Sequence, residues 1–343
     1  MNGISLFANV GIGETFLEEV GINIVVANEL LEKRGKFYQH LYPNSNMIIG
    51  DITNEYIFDK VLSLAIEKDC QFLIATPPCQ GMSVAGKMKE NDPRNQLIIQ
   101  VVKAIHRLKP EYIIIENVQR MPETFIIVND ETIKIKDYLQ RELKEYFINS
   151  QNVDFADYGV PQHRKRSILL LSKNKVWEFP KKEKQITVRE VIGHLPSLES
   201  GEISNIPLHF AKKHNVNHIL WLKNTPTGKT AFENKIYYPQ KDGRKIKGFS
   251  TTYKRISWDK PAPTITMSNG AISSQNNVHC GRLKEDGTYS DSRVLTLLEI
   301  LLLTTLPTDW NIPKWANENF IRQVIGEAVP PLFFKRVVEM LPK

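Results

Sequence analysis

The chain has 343 residues, 45 Lys and Arg against 38 Asp and Glu, and a net charge of +7. At about 150 residues per domain this length predicts two domains, or one large α/β domain with an insertion. With 41% hydrophobic and 24% charged residues, 18 Gly and 19 Pro, the composition excludes disordered, collagenous and disulfide-scaffold classes.

Taken in chain order, the apolar runs of strand length are ISLFA at 4–8, NIVVANE at 23–29, MIIGD at 47–51, FLIAT at 72–76, YIIIE at 112–116 and SILLLS at 167–172. Amphipathic stretches such as 56–68 and 96–108 separate them. Short, nearly continuous apolar strands alternating with helices predict an α/β fold with a mostly parallel sheet covered on both faces. Right-handed crossovers make that sheet doubly wound. From 173 to 290 the periodicity fades and Pro, Asn, Lys and Gly become frequent, which predicts a smaller, irregular domain. Regular texture returns with RVLTLLEILLL at 293–303 and PPLFFKRVVEML at 330–341. The expected organisation is a catalytic and cofactor-binding domain at 1–172, a small domain at 173–290, and a return segment at 291–343 whose terminal helix packs on the first domain. No segment approaches the roughly 18 apolar residues of a membrane span, and no export signal is visible, so a cytoplasmic location is expected. Three sparse cysteines, Cys70, Cys79 and Cys280, suit free thiols.

The positive charge is localised. Residues 173–291 hold 20 Lys and Arg against 11 Asp and Glu, and 211–255 alone hold 11 against 2. Phe210, Trp221, Phe232, Tyr237, Tyr238, Phe249 and Tyr253 are interleaved with them. Such a block can neutralise phosphates and pack on bases, although a solvated Lys-rich face has the same composition.

In open parallel sheets ligands bind beyond the carboxyl ends of the strands. There the first strand leads into FANVGIGE, 7–14, in which Asn9, Gly11 and Gly13 have the spacing of a nucleotide-binding turn. Glu29, ending the second strand, is placed to bind ribose hydroxyls, and Asp51, ending the third, to accept from an adenine amino group. The fourth strand ends in Pro77-Pro78-Cys79-Gln80. A Cys on that edge, near a helix N-terminus or an Arg, would have a depressed pKa and more thiolate. Cys70 and Cys280 read instead as small buried hydrophobes.

TPPCQGMS, at 76–83, resembles the catalytic motif of the C5-cytosine DNA methyltransferases of bacterial restriction-modification systems. FANVGIGE, VVANEL and GDI are similar to that family's first motifs. NDPRNQLI at 91–98, IIIENVQRM at 113–121, YGVPQHRKR at 158–166, RVLTLLEILLLTTLP at 293–307 and IGEAVPP at 325–331 follow in the family's order. The chain departs from the pattern at Asn9 and Ile12, where Gly is usual, and at Glu327, where Asn is usual.

The resemblance implies a fold of the S-adenosylmethionine-dependent methyltransferase type, with 173–290 as a target-recognition domain. It implies S-adenosylmethionine as methyl donor and S-adenosylhomocysteine as product. The contacts it implies are Phe7, Asn9, Val10, Gly11, Glu29, Asp51, Ile52, Pro78, Leu97 and Val329. Cytosine C5 is a poor nucleophile, and a thiolate adding to C6 gives C5 enamine character. Cys79 is then the thiolate. Glu116, kept neutral by desolvation, donates to N3. Arg166 is similar to the arginine that binds O2, with Arg164 supporting it. The base must be flipped out of duplex DNA, which makes Gln80–Asn91 a candidate closing loop. Gln80, Ser83, Lys87 and Gln162 are the expected DNA contacts. No metal is expected, since the cysteines and histidines lack ligand spacing. Double-stranded DNA is the expected partner, alongside a cognate restriction endonuclease, with no membrane and a monomeric enzyme. A tRNA methyltransferase and a non-catalytic DNA-binding protein are the alternatives. The long recognition region disfavours the first, and intact Cys79, Glu116 and Arg166 disfavour the second.

Overall fold

The structure, a computed structural model, describes residues 1–78 and 93–342. The expected nucleophile Cys79 and the expected DNA contacts Gln80, Ser83 and Lys87 lie outside the described residues.

Nine strands and five helices make up the described part of the first of two compact units, which comprises Met1–Asp154, Lys165–Lys181 and Pro331–Lys343. In chain order they begin with β1 (Asn2–Leu6), β2 (Asn23–Glu29), α1 (Glu32–Leu41), β3 (Asn46–Ile49), α2 (Glu55–Glu67) and β4 (Cys70–Ala75). Then come α3 (Leu97–Leu108), β5 (Tyr112–Asn117), β6 (Phe125–Val128), β7 (Glu131–Lys134), α4 (Ile135–Glu142), β8 (Phe147–Asp154) and β9 (Lys165–Ser172). Seven strands form one sheet in the order β3-β2-β1-β4-β5-β9-β8. The first five in that order are parallel, as their unbroken apolar runs require, and β9 and β8 are antiparallel additions. The mostly parallel α/β reading is therefore borne out. The sequence reading lacks β8, whose FINSQNVD carries exposed polar residues rather than an apolar run, and the small β6–β7 hairpin. Ile4, Leu6, Val26, Leu73, Ile113, Ile115, Leu169 and Leu171 from the sheet meet Val61, Leu62, Val101 and Ile105 from the helices in one core.

The second unit comprises Phe155–Arg164 and Lys182–Pro330. It contains α5 (Val188–Ile192), α6 (Val216–Lys223), the two-residue strands β10 (Gln240–Lys241) and β11 (Arg244–Lys245), α7 (Leu297–Leu303) and α8 (Glu318–Glu327). Regular structure is sparse here, as the sequence texture predicts. Trp221, Leu222, Tyr253, Val278 and Val294 form an apolar core.

The divisions at 172 and 290 differ from these units. Residues 173–181 stay with the sheet because Trp177 donates to Val337 O at 3.0 Å and packs on Phe72 and Tyr112. Residues 291–330 belong to the second unit, to which Arg293 Nε binds them by donating to Leu198 O at 2.8 Å and Arg255 Nη1 by donating to Asp291 O at 3.0 Å. Only the last helix, α9 (Pro331–Val338), returns to the first unit, burying Phe333, Phe334, Val337 and Val338.

Candidate active site

The parallel strands change direction of addition between β1 and β4, where Leu6 lies in register with Ala75. This switch point is where an open α/β sheet binds its ligand. It sets the turn after β1 beside the segment that leads to Cys79.

The turn is unusual backbone. Phe7, Asn9 and Gly11 all have left-handed φ, of 59°, 51° and 77°. For a bulky Phe this is strained, and such strain persists only where neighbours hold it. The Thr76 hydroxyl donates to Phe7 O at 3.1 Å, Ala8 N donates to Asn28 O at 2.9 Å, and Asn9 N donates to Glu29 Oε2 at 2.9 Å. Asn9 tolerates the conformation better than most residues, which explains how it can stand where the motif usually has Gly. Its Oδ1 is buried and meets no hydrogen-bond partner among the described residues.

Glu29 is fixed at both oxygens, since Leu31 N also donates to Oε1 at 2.9 Å. A carboxylate has about four acceptor sites, so capacity remains for two further donors. Asp51 is exposed, and its Oδ1 accepts from Thr53 N and Thr53 Oγ1, both at 2.8 Å. Buried Asn28 donates to Ile48 O and Gly50 O, pinning the chain just before Asp51. Val10 is enclosed at 0% exposure and Ile52 at 3%, so both pack under the turn rather than line an open surface. Pro78 and Leu97 are partly exposed, and Val329 lies in the second unit. Leu30, which directly follows Glu29, is 58% exposed, and Tyr56 on the first turn of α2 is exposed too. Neither is singled out by the sequence reading. The usable signal for Leu30 was a large apolar side chain directly after the acidic residue that ends β2.

Glu116 and Arg166 meet directly. Glu116 is the penultimate residue of β5, and Arg166 sits on neighbouring β9, two residues from Ile168, the register partner of Glu116. Arg166 Nε lies 3.0 Å from Glu116 Oε1, with both side chains largely covered. Arg166 Nη1 also donates to Lys165 O at 2.8 Å. Next along β5, buried Asn117 donates from Nδ2 to Pro77 O at 3.0 Å. Asn117 thus holds backbone, two residues before Cys79.

Two expected site residues, Arg164 and Gln162, bond within the second unit. Arg164 belongs to the second unit, while Lys165 and Arg166 belong to the first. Its guanidinium donates to three carbonyls of its own unit, Ile265 O and Gly326 O at 3.2 Å and Glu327 O at 2.8 Å. Arg164 thus clamps backbone within the second unit. Gln162 is buried, donating to Leu303 O and accepting from Ile265 N. Cys70 and Cys280 are buried free thiols, and desolvation pushes both pKa values up, Cys70 to about 12, which leaves them poor nucleophiles.

In the second unit, the hairpin β10–β11 turns through Asp242 and Gly243, both at positive φ, and carries exposed Lys241, Arg244 and Lys245. Nearby Phe249 is 77% exposed.

The family model for C-5 cytosine-specific DNA methylase matches residues 1–343. Type II methyltransferase M1.HgaI of Avibacterium volantium is 50% identical over 343 residues, covering 98% of this chain and 96% of that protein. Type II methyltransferase M1.HphI of Haemophilus parahaemolyticus is 27% identical over 348 residues, covering 99% and 86%. Among solved structures, a prophage-encoded DNA modification methyltransferase from E. coli aligns with a TM-score of 0.70 at 18% identity, over 99% of this chain and 98% of that one. The methyltransferase EhMeth of Entamoeba histolytica aligns with a TM-score of 0.67 at 15% identity, over 99% and 97%. At these identities the two structures speak for the fold alone.

Proposed function

Because the chain belongs to the C-5 cytosine-specific DNA methylase family, we propose that it methylates cytosine within one short sequence of duplex DNA, using Cys79 as nucleophile. The observation that carries this reading is the Glu116–Arg166 pair at 3.0 Å, next to an Asn117 that holds Pro77 O. N3 and O2 are neighbouring atoms on one edge of cytosine. Two groups already in contact can address both at once, Glu116 as proton donor to N3 and Arg166 as donor to O2. Negative charge grows on that edge when the Cys79 thiolate adds to C6, and the two donors relieve it. Cys79 leaves once C5 has lost its proton.

S-adenosylmethionine, when bound, supplies an electrophilic methyl group. The first unit's residues fit it. Asn9 Oδ1 is a buried acceptor without a donor, which suits an ammonium group. Glu29 retains acceptor capacity for a ribose, and exposed Asp51 for an adenine amino group. Leu30 and Tyr56 offer apolar surface beside them.

A target carbon within the base stack must be swung out, at a cost of a few kcal/mol. Gln80, Ser83 and Lys87 are proposed to hold the opened strand. Residues 173–290 are proposed as the recognition region, with Lys241, Arg244 and Lys245 of the basic hairpin on the duplex, since a two-stranded ribbon fits the major groove. The 50% identity to a Type II methyltransferase supports a modification enzyme; a cognate endonuclease as partner, a monomeric state and a bacterial cytoplasmic location are proposed with it.

Bisulfite sequencing of DNA from cells expressing the protein is expected to show protected cytosines in a single short context, and none with Cys79→Ser. Methylation that persists in Cys79→Ser, or that falls only on adenine, contradicts the reading.

A further inference from the structure

Behind the glycine turn lies a buried cluster that the proposed chemistry does not use. Gly11 backs onto the C-terminal turn of α1. A Cβ on Gly11 would come within 2.4 Å of the Tyr42 ring and 2.8 Å of the Tyr38 ring, so the absent side chain is replaced by two tyrosines. Their rings are 4.8 Å apart. The Tyr42 hydroxyl donates to Gly11 O at 2.7 Å. The Tyr38 hydroxyl donates to Glu14 Oε2 at 2.5 Å. Glu14 is 7% exposed and also takes a hydrogen bond from Ser5 of β1. It has no ion pair among the described residues, and desolvation pushes its carboxyl up to about 7 despite those two hydrogen bonds.

A buried carboxylic acid with no cationic partner is costly, so its presence calls for a role. Here it anchors Tyr38, and Tyr42 stacks beside it. Tyr42 then gives the carbonyl of a left-handed residue a second donor, beside Glu14 N at 3.0 Å. Two donors from different elements fix the direction of that carbonyl more narrowly than Glu14 N alone, and with it the next peptide, which a cofactor must meet.

We propose that Tyr42, backed by Tyr38 and Glu14, is a positioning residue for the cofactor, holding the Gly11 peptide in the orientation that S-adenosylmethionine requires. This rests on the reading of the β1 turn as the cofactor site. The brace acts on cofactor affinity and leaves the Cys79 chemistry alone.

The test is calorimetric titration of purified full-length protein with S-adenosylhomocysteine, wild type against Tyr42→Phe, with steady-state kinetics on duplex DNA alongside. Phenylalanine keeps the ring against Gly11 and removes only the hydroxyl. Loss of one net hydrogen bond predicts binding about three- to tenfold weaker. KM for S-adenosylmethionine should rise by the same factor, with kcat at saturation and KM for DNA within about twofold of wild type. Glu14→Gln, which retains an acceptor for Tyr38, should weaken binding less than Tyr38→Phe. Binding by Tyr42→Phe equal to wild type overturns the proposal. So does a fall in kcat as large as the fall in affinity, which marks a general structural defect. A wild-type protein that binds no S-adenosylhomocysteine removes the cofactor reading itself, and is told apart by that first titration.

Discussion

Glu116 and Arg166 are held by different means, and this decides what their substitution should do. Glu116 is the last carboxylate of a buried strand, and Arg166 reaches it from the neighbouring strand. Glu116→Gln keeps the volume but removes the transferable proton. Single-turnover methyl transfer should slow by about 10²- to 10⁴-fold while S-adenosylhomocysteine binding is unchanged. Arg166→Lys should also fail to restore full activity, because an ammonium lacks the planar fork that grips a carboxylate and a carbonyl together. A Glu116→Gln enzyme of ordinary rate would remove N3 protonation from the mechanism. At this scale motif spacing made Glu116 and Arg166 legible. It did not show the bonds of Arg164 and Gln162, because residue type shows that a polar head needs a partner but not which one. Both found theirs in the carbonyls and amides of the second unit. Tyr38, Tyr42 and Glu14 went unread because nothing local marks two helix tyrosines as the lining of a turn 31 residues earlier.

At the scale of elements, α7 rests on a buried ionic cluster. Thr296 caps the helix by accepting from Glu299 N, and Glu299 returns the bond to Thr296 N. The same carboxylate grips Arg293 through both oxygens, at 2.8 and 2.9 Å, while Arg293 also bonds Asp291. Removing one partner leaves buried charge uncompensated, so Arg293→Met should cost about 3–5 kcal/mol in denaturant titration. A cost below about 1 kcal/mol would show that the cluster is already solvated. The basic hairpin β10–β11 behaves differently, because its charges face solvent. Lys241→Ala and Arg244→Ala together should leave stability and kcat alone. They should lower the slope of log binding against log salt by about 0.9 for each phosphate the hairpin no longer neutralises. An unchanged slope would take the hairpin off the DNA. The parallel strands were legible since burial on both faces demands continuous apolar runs. The β10–β11 and β6–β7 hairpins and β8 were not, since short or half-exposed strands leave only two to four pattern residues each.

For the whole molecule, the two units carry buried titratable groups of opposite sense. In the second, burial and the nearby Arg293 push His279 down to about 4, and Glu299, despite its burial, is held down to about 2 by Arg293. Both lie below their ordinary values. The stability they contribute is present above about 6.5 for the histidine and 4.5 for the carboxyl, and is lost as pH falls through the folded values. In the first unit Glu14 is raised to about 7, so its contribution is present below 4.5 and lost as pH rises through 7. Between pH 7 and 5 the units should therefore diverge. Hydrogen exchange, corrected for intrinsic rates, should show α7 losing protection on acidification while β1 and α1 do not. Equal loss in both would contradict these assignments. The expected division at 172 and 290 differs from the two compact units, because bonds such as Trp177 to Val337 O and Arg293 to Leu198 O group the segments and neither alters the local texture.

All of the proposed chemistry converges on Cys79, and the most direct measurement is chemical trapping. A duplex carrying 5-fluorocytosine in the methylated context, incubated with the protein and S-adenosylmethionine, offers C5 no proton to release, so the thioether at C6 cannot resolve. A denaturation-resistant protein–DNA adduct is expected, with the DNA mapped by mass spectrometry to the peptide containing Cys79 and absent from Cys79→Ser. No adduct on DNA that the protein demonstrably binds, or an adduct mapped to any other residue, would contradict it.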